Sequence, residues 1–272
     1  MRNCLSYLSA FFFWMRDVVR RRVLRRQAFI AVSPTRIPSL AAFLKDRFSH
    51  GLVHAGLSRI ESGSARSATD DILGELEQGL SYFCVPAFTP GFRQEKVFSS
   101  NESIPEVGTF SKLCMERRSP RTRDPIHSLF VFNDPAAHVM NLPVRDTFAP
   151  DGVYRSFVDP GSCWINIGTP DLVSTALHYI ERIAQVPYLK EQVVSGKIID
   201  ESGNEEWVDQ KSYRYRSRLC WNRKKIENHL REIGCVDYLQ WRGALVRVVD
   251  GNRAFLGLLA AIKRAPFFLV TG

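Results

Sequence analysis

The sequence predicts an α/β fold built on a central sheet. Two patterns carry that expectation. Short apolar runs rich in β-branched and aromatic residues alternate with segments of helical spacing. The runs are bounded by Gly, Pro, Ser and Asp, which punctuate turns. The chain has 272 residues, 45% apolar and 24% charged, which suits one large domain or two small ones. That balance excludes a disordered, collagen-like or coiled-coil chain.

Taken in order, residues 27–32 are a short apolar strand candidate and residues 37–46 have helical spacing. Residues 51–57 read as a strand that stops in polar residues. Residues 68–78 are an amphipathic helix, with Asp70 and Asp71 expected in its first turn, where the helix dipole favours negative charge. Residues 80–85 are a β-prone strand closed by Pro86, and 90–108 a long polar loop. A helix over 107–116 leads into a basic turn. Residues 128–132 form a buried strand, followed by a helix over 135–142. A strand at 162–167 precedes a helix at 174–184. Residues 186–218 alternate and are punctuated by Gly, which reads as β-ribbon. Residues 222–233 are a charged helix, and 243–270 mix short strands with an apolar helix. No internal repeat appears.

The N-terminus is distinct. Residues 4–15, CLSYLSAFFFWM, precede Arg16, Arg20, Arg21, Arg22, Arg25 and Arg26, and much of the +9 net charge sits there. A run this short does not span a bilayer, which takes about 20 residues. The charge follows the run, unlike a signal peptide. Residues 1–27 are therefore read as a basic amphipathic segment with two possible fates. One is a helix on an anionic membrane face, giving a cytoplasmic protein a peripheral membrane contact through residues 1–26. The other is a helix packed on the domain with solvated arginines.

Cys4, Cys84, Cys114, Cys163, Cys220 and Cys235 form no CxxC pair and no zinc-knuckle spacing. They read as reduced, mostly buried thiols of a cytosolic protein. No zinc motif, G-x-S-x-G elbow, kinase signature or nucleic-acid module appears. The alternation Tyr213, Arg214, Tyr215, Arg216 has period two. A strand with one aromatic and one basic face explains it without nucleic acid.

The strongest chemical candidate is GTPDLVSTALHYIE, residues 168–181. Gly168, Thr169 and Pro170 turn out of a strand, and Asp171 or Ser174 would cap the next helix. Thr175, His178 and Glu181 then stand three apart on one helix face. Glu181 would accept a hydrogen bond from one imidazole nitrogen, fix the tautomer and make the other nitrogen a better base. The plainer reading is a surface pair one turn apart. Arg117, Arg118, Arg121 and Arg123 crowd a second segment, as phosphate ligands or as a solvated loop. His127 enters the strand at 128–132, as a ligand contact or a polar residue at the sheet rim. In a third segment His54 ends a strand, and Ser62, Gly63 and Ser64 precede a helix whose free N–H groups suit an anion such as pyrophosphate.

In chain order the segments read VHAGLSRI, FCVPAFT, PEVGTFSKLCMERRSPRTRDPIHSLFVF, WINIGTPDLVSTALHYIE and VPYLK. This order resembles the aminoglycoside 3-N-acetyltransferase family, or antibiotic N-acetyltransferases, with its "VHSSL", "MPTFT", "RSxHPxHS" and "TxLHxxE" motifs. The resemblance covers roughly residues 28–270. It implies an acyltransferase domain over 28–272, with a central mixed sheet, flanking helices and a small β-ribbon elaboration, unrelated to the GNAT fold. It implies acyl transfer from acyl-CoA to an amine on a sugar, without a metal. His178 would be the base, Glu181 its orienting partner, and Asp171 would contact the substrate amine. His54, Ser58, Phe88, Thr89, Arg123, His127, Ser128 and Thr175 would line the coenzyme side, Ser128 facing the thioester or pantetheine. The sequence departs from the family at Asp124, where the motif has its first His, and at Ala55-Gly56, where it has two Ser.

Charge complementarity between a slightly basic body and a diphosphate favours a nucleotide-linked amino sugar as acceptor. A thymidine-diphosphate amino-dideoxyhexose of surface-polysaccharide biosynthesis fits, with an acetyl or short hydroxyacyl donor. The alternatives are an aminoglycoside 3-N-acetyltransferase conferring resistance and a non-catalytic membrane-surface binding protein. A homodimer is a further expectation.

Overall fold

Apolar residues occupy both faces of the inner strands, so the sheet they form must be covered on both sides. The computed structural model describes residues 32–134, 138–216 and 218–271. The N-terminal segment 1–27 and nearly all of the strand candidate at 27–32 lie outside these residues. The described part opens with β1 (Thr35–Arg36), α1 (Leu40–Leu44), β2 (His50–Ala55), α2 (Ala65–Gly79) and β3 (Tyr82–Pro86). It continues through α3 (Phe92–Glu95), β4 (Val97–Ser99), α4 (Gly108–Glu116), β5 (Leu129–Phe132), β6 (Ser162–Ile167) and α5 (Ala176–Ile183). Then come β7 (Leu189–Ile199), β8 (Glu205–Tyr215), β9 (Cys220–Trp221), α6 (Arg223–Glu232), β10 (Val236–Trp241), β11 (Ala244–Asp250), α7 (Gly251–Arg264) and β12 (Val270–Thr271).

The main sheet runs β1-β10-β11-β6-β2-β3-β5. Strands β2, β3 and β6 are parallel, while β11 and β5 run antiparallel to their inner neighbours, so the sheet is mixed as expected. Side chains alternate between two cores. Leu52, Trp164 and Val249 face Leu177 and Ile180 of α5, Leu230 of α6 and Leu258 of α7. Val53, Ile165 and Val248 face Leu44 of α1, Ile72 and Leu76 of α2 and Phe110 of α4. Each such side chain stabilises the fold by about 1.5–3 kcal/mol when fully buried. This two-sided cover is the main stabilising contribution.

Several elements differ from the sequence expectation, each for a local reason. Helix α1 starts only at Leu40, because Ser39 caps it through a bond accepted from Ala42 N. Helix α2 starts earlier than expected, at Ala65, with Ser64 accepting from Ser67 N. Asp70 and Asp71 therefore lie beyond the first turn and pair with Arg117 and Arg242 instead. The expected helix over 135–142 is turn and bend across its described part, residues 138–142. There the Asp134 carboxylate accepts from the His138 and Val139 N–H groups and competes with helix formation. The loop at 90–108 holds α3 and β4, because Phe92 and Phe98 pack with Ile126, Val194, Ile198 and Val208 in a third small core. Strand β10 has no counterpart in the sequence reading.

The ribbon expected over 186–218 is the β7–β8 hairpin, with β4 added alongside. Its far end turns at Asp200, whose Oδ1 accepts from the Ser202 and Asn204 N–H groups.

Strands β2 and β6 end together, with Ala55 opposite Ile167. The chain then passes through Gly56 and Gly168, whose backbones touch. A Cβ on Gly168 would lie 2.5 Å from Gly56 O, and Gly168 has φ +63°. A Cβ on Gly56 would meet Gly168 O at 2.9 Å. The family's second Ser is thus replaced here by a glycine that the backbone contact requires. The loops that leave this edge start at the carboxyl ends of parallel strands, where α/β folds place their sites.

Replacing Gly168 by Ala forces a left-handed backbone on a residue with a side chain and pushes the two strand ends apart. We expect Gly168→Ala to lower stability by about 1–3 kcal/mol, read as an earlier urea midpoint at unchanged slope. An unchanged midpoint would refute the close approach.

Candidate active site

Helix α5 follows the turn at Gly168 and carries His178 and Glu181 on one face, three residues apart. Nδ1 of His178 lies 2.8 Å from Oε2 of Glu181. The Glu181 side chain is 0% exposed and that of His178 29% exposed. Oε1 of Glu181 accepts from Tyr188 OH at 3.0 Å, Tyr215 OH at 3.0 Å and Trp221 Nε1 at 3.1 Å. With donors on both oxygens the carboxylate acts as an acceptor throughout, so Nδ1–H of His178 donates to it. The nitrogen left for chemistry is Nε2, on the ring's other edge. Trp221 tilts against the imidazole at 4.4 Å between centroids. Burial beside Glu181 raises the pKa of Tyr188 and Tyr215 well above the phenol range, so both remain donors.

A second imidazole faces the first. His127 and His178 have centroids 6.5 Å apart, and Phe148 packs on both rings. Phe88 meets His127 edge-on at 5.0 Å. Burial, then the positive fields of His178 and Arg93, push the His127 pKa well below its ordinary value. The turn before it is built by Asp124, whose Oδ1 accepts from the Ile126 and His127 N–H groups at 2.8 Å each. The departure from the family's His at this position therefore supplies a turn cap.

The remaining predicted residues divide. Thr175 is buried at the helix start, and its carbonyl accepts from His178 N–H at 3.0 Å. His54 lies opposite Asn166 across β2 and β6, on the face that carries α5. Burial and then the nearby Arg223 lower its pKa to about 4. Asp171, which the resemblance assigns to the substrate amine, pairs with Arg223 at 3.4 Å, because that guanidinium opens helix α6 directly beside the turn. The resemblance has Ser128 face the thioester or pantetheine. It is 0% exposed, donates to Ala87 O at 2.7 Å and accepts from Arg121 Nε at 3.0 Å. Thr89 is likewise buried, donating to Pro125 O at 2.8 Å. Ser58 lies exposed in the turn Leu57–Arg59.

The arginine-rich turn does not converge as a phosphate site. Arg121 is 1% exposed, bonds the carbonyls of Ser103 and Ala87, and lies over the Phe98 and Phe130 rings. Burial lowers its pKa to about 10. Arg117 pairs with Asp70, and Arg123 with Glu206 at 2.9 Å. At the third candidate segment, the Ser64 hydroxyl occupies the helix start as its cap.

Sequence reasoning missed Tyr188, Tyr215, Trp221 and Phe148. The aromatic face of the Tyr213–Tyr215 alternation was the available signal, since that face turns toward His178. Burial holds Cys84, Cys114, Cys163 and Cys235 as thiols, Cys114 at about 12 and Cys235 at about 11. Among the described residues no group of three or more His, Cys, Asp or Glu is placed to hold a metal ion. No described helix is long and apolar enough to cross a membrane.

Comparison with known proteins follows this geometry. A family profile described as Aminoglycoside 3-N-acetyltransferase matches residues 85–256. A search of curated proteins finds no match. Among solved structures, the YokD protein from Bacillus subtilis is similar at TM-score 0.66 and 16% identity, covering 85% of this chain and 96% of its own. AAC-IIIb in binary complex with CoASH gives 0.67 and 17%, covering 83% and 94%. Sisomicin-bound AAC-VIa gives 0.65 and 16%, covering 84% and 99%. At these identities the structural likeness establishes the fold.

The buried histidines set a pH dependence. His50, His54 and His127 all have folded pKa values below the ordinary 6.5, and burial is the largest cause for each. The unfolded chain therefore takes up protons that the folded chain refuses. Stability is fully present above pH 6.5 and declines as pH falls toward about 4, where His54 protonates in place. The slope is at most about 1.4 kcal/mol per pH unit for each histidine. Urea unfolding should show less stability at about pH 5 than at about pH 7.5. His54→Gln should flatten that difference, and an unflattened slope would remove His54 from the account.

Proposed function

The chain belongs to the aminoglycoside 3-N-acetyltransferase family, and from that we propose that His178 is the general base of a direct acyl transfer from coenzyme A to an amine of an amino sugar. Membership makes the protein a CoA-dependent N-acetyltransferase with acyl-CoA as co-substrate. The observation that carries the assignment is the enclosed Glu181 bonded to Nδ1 of His178. Held so, Nε2 takes a proton from the acceptor ammonium. The freed amine attacks the thioester carbonyl carbon and a C–N bond forms as the C–S bond breaks. The nitrogen sheds a second proton to become the amide, so one proton leaves on the coenzyme A thiol and the other passes through His178 to solvent. His127, neutral and beside His178, lines the same cleft. The four buried thiols, held protonated, are poor covalent carriers of the acyl group.

For the acceptor, the family reading favours an aminoglycoside. Structures of relatives are described with sisomicin and with apramycin bound. A second reading is a nucleotide-linked amino sugar, and one observation favours it. The acids near His178 are already engaged: Glu181 with the imidazole, Asp171 with Arg223 and Asp146 with Tyr213. Arg182 bonds that same Tyr213 hydroxyl, and Arg93, whose field reaches His127, bonds the hydroxyl of Ser212. Such a border suits a phosphate-bearing carrier better than a polycation.

Thiol release separates the readings. Acetyl-CoA and short hydroxyacyl-CoAs are offered with sisomicin, apramycin and thymidine-diphosphate amino sugars. Release with the drugs supports the family reading, and release with the nucleotide sugars the second. Silence in every arm, with no coenzyme A binding by calorimetry, would remove the enzymatic reading. On the active pair, His178→Ala should lower turnover by at least about a hundredfold. Near-normal turnover in that variant would remove the base assignment.

A further inference from the structure

The turn between β6 and α5 is bonded along most of its length. Gly168 N–H donates to Leu245 O at 2.9 Å. Val173 N–H donates to Asn166 Oδ1 at 2.6 Å, and Thr169 Oγ1 to Asp171 O at 2.9 Å. The strongest hold comes from Arg247 on β11, directly opposite Asn166. Its guanidinium donates Nη1 to Thr169 O at 3.0 Å and Nη2 to Pro170 O at 3.3 Å. Its Nε donates to Glu227 Oε1 on α6 at 2.7 Å. Both side chains are buried.

We propose that Arg247, anchored by Glu227 and assisted by Asn166, is a positioning residue that sets the start of α5 and so the place of His178. The inference rests on His178 as the base. Stability alone does not call for this pair, since a buried ion pair is often replaced by apolar residues at little cost. Two successive carbonyls and a carboxylate on another helix, all met by one side chain, do call for a forked cation. Lysine has one nitrogen and cannot reach Glu227, Thr169 O and Pro170 O together. The turn is also where a small error matters. Helix α5 is a rigid lever, and a misplacement of about 1 Å at a reacting atom can cost about a hundredfold in rate.

The test compares R247M/E227M, R247K and His178→Ala with the native chain. The double substitution leaves no lone buried charge. It should keep the thermal midpoint within a few degrees and move KM for acetyl-CoA by less than about threefold, while kcat falls at least about tenfold. The Val173 amide should exchange faster. R247K keeps the charge on Glu227 but should not restore kcat. If kcat of the double variant returns to native along with its stability, the pair only packs and the proposal fails. If the double variant does not fold, R247K decides, and native kcat there overturns the proposal. If His178→Ala keeps its turnover, the base reading fails instead. In that case unchanged Val173 exchange in the double variant overturns the positioning role, and faster exchange supports it.

Discussion

A carboxylate with no exposed surface organises this site. Removing a carboxylate from water costs several kcal/mol unless hydrogen bonds replace the lost hydration. Glu181 recovers them from His178 on its own helix, Tyr188 ahead of β7, Tyr215 at the end of β8 and Trp221 on β9. These donors come from segments far apart in the chain. One carboxylate therefore ties α5 to both ends of the ribbon and to the strand before α6. Its other donors are neutral phenol and indole groups, so His178 is the one partner among them able to carry positive charge. The same geometry that stabilises the fold also fixes which imidazole nitrogen is left open.

The histidines show how environment divides like residues among roles. His178 keeps an open edge and a carboxylate, whereas His127 and His54 have neither a carboxylate partner nor full access to water. Burial and nearby cations keep these two neutral. His50 is a further case: it is buried at the other end of β2, stacks on Tyr82 and bonds Ser49 and Ser156. Its setting makes it part of the scaffold. Residue type alone would have ranked all four together.

What was legible in the sequence follows from the range of the interactions involved. Strand runs such as 162–167 and the ribbon at 186–218 are set by local pattern, and they appear nearly where expected. The His178–Glu181 pair spans a single helical turn, so spacing was enough to find it. Helix starts at Ser39 and Ser64 depend on one capping bond and were displaced by a few residues. The cage of Tyr188, Tyr215 and Trp221 depends on contacts between elements up to forty residues apart, which spacing does not encode. The bonds of Arg121 and Ser128 are hidden from the sequence for the same reason. Seven residues apart, they meet inside the domain and bond Ala87 O together.

The arginines carry this argument to the question of charge. Composition counts Arg121 and Arg247 as surface cations available to an anionic ligand. The structure commits the first to backbone carbonyls and aromatic rings, and the second to Glu227 and the turn before α5. Arg117 and Arg123 are paired outward with acids. Net charge is therefore a poor guide to what the cleft accepts, and the relevant count is of groups that border His178 without a charged partner. By that count Arg93, Arg182 and Asp146 remain, each bonded to a neutral hydroxyl. An acceptor that carries negative charge would meet Arg93 and Arg182, and a cationic one would meet the carboxylate of Asp146 and that of Asp171, which already holds Arg223. What distinguishes the two kinds of acceptor thus lies in these few contacts and not in the overall basicity of the chain.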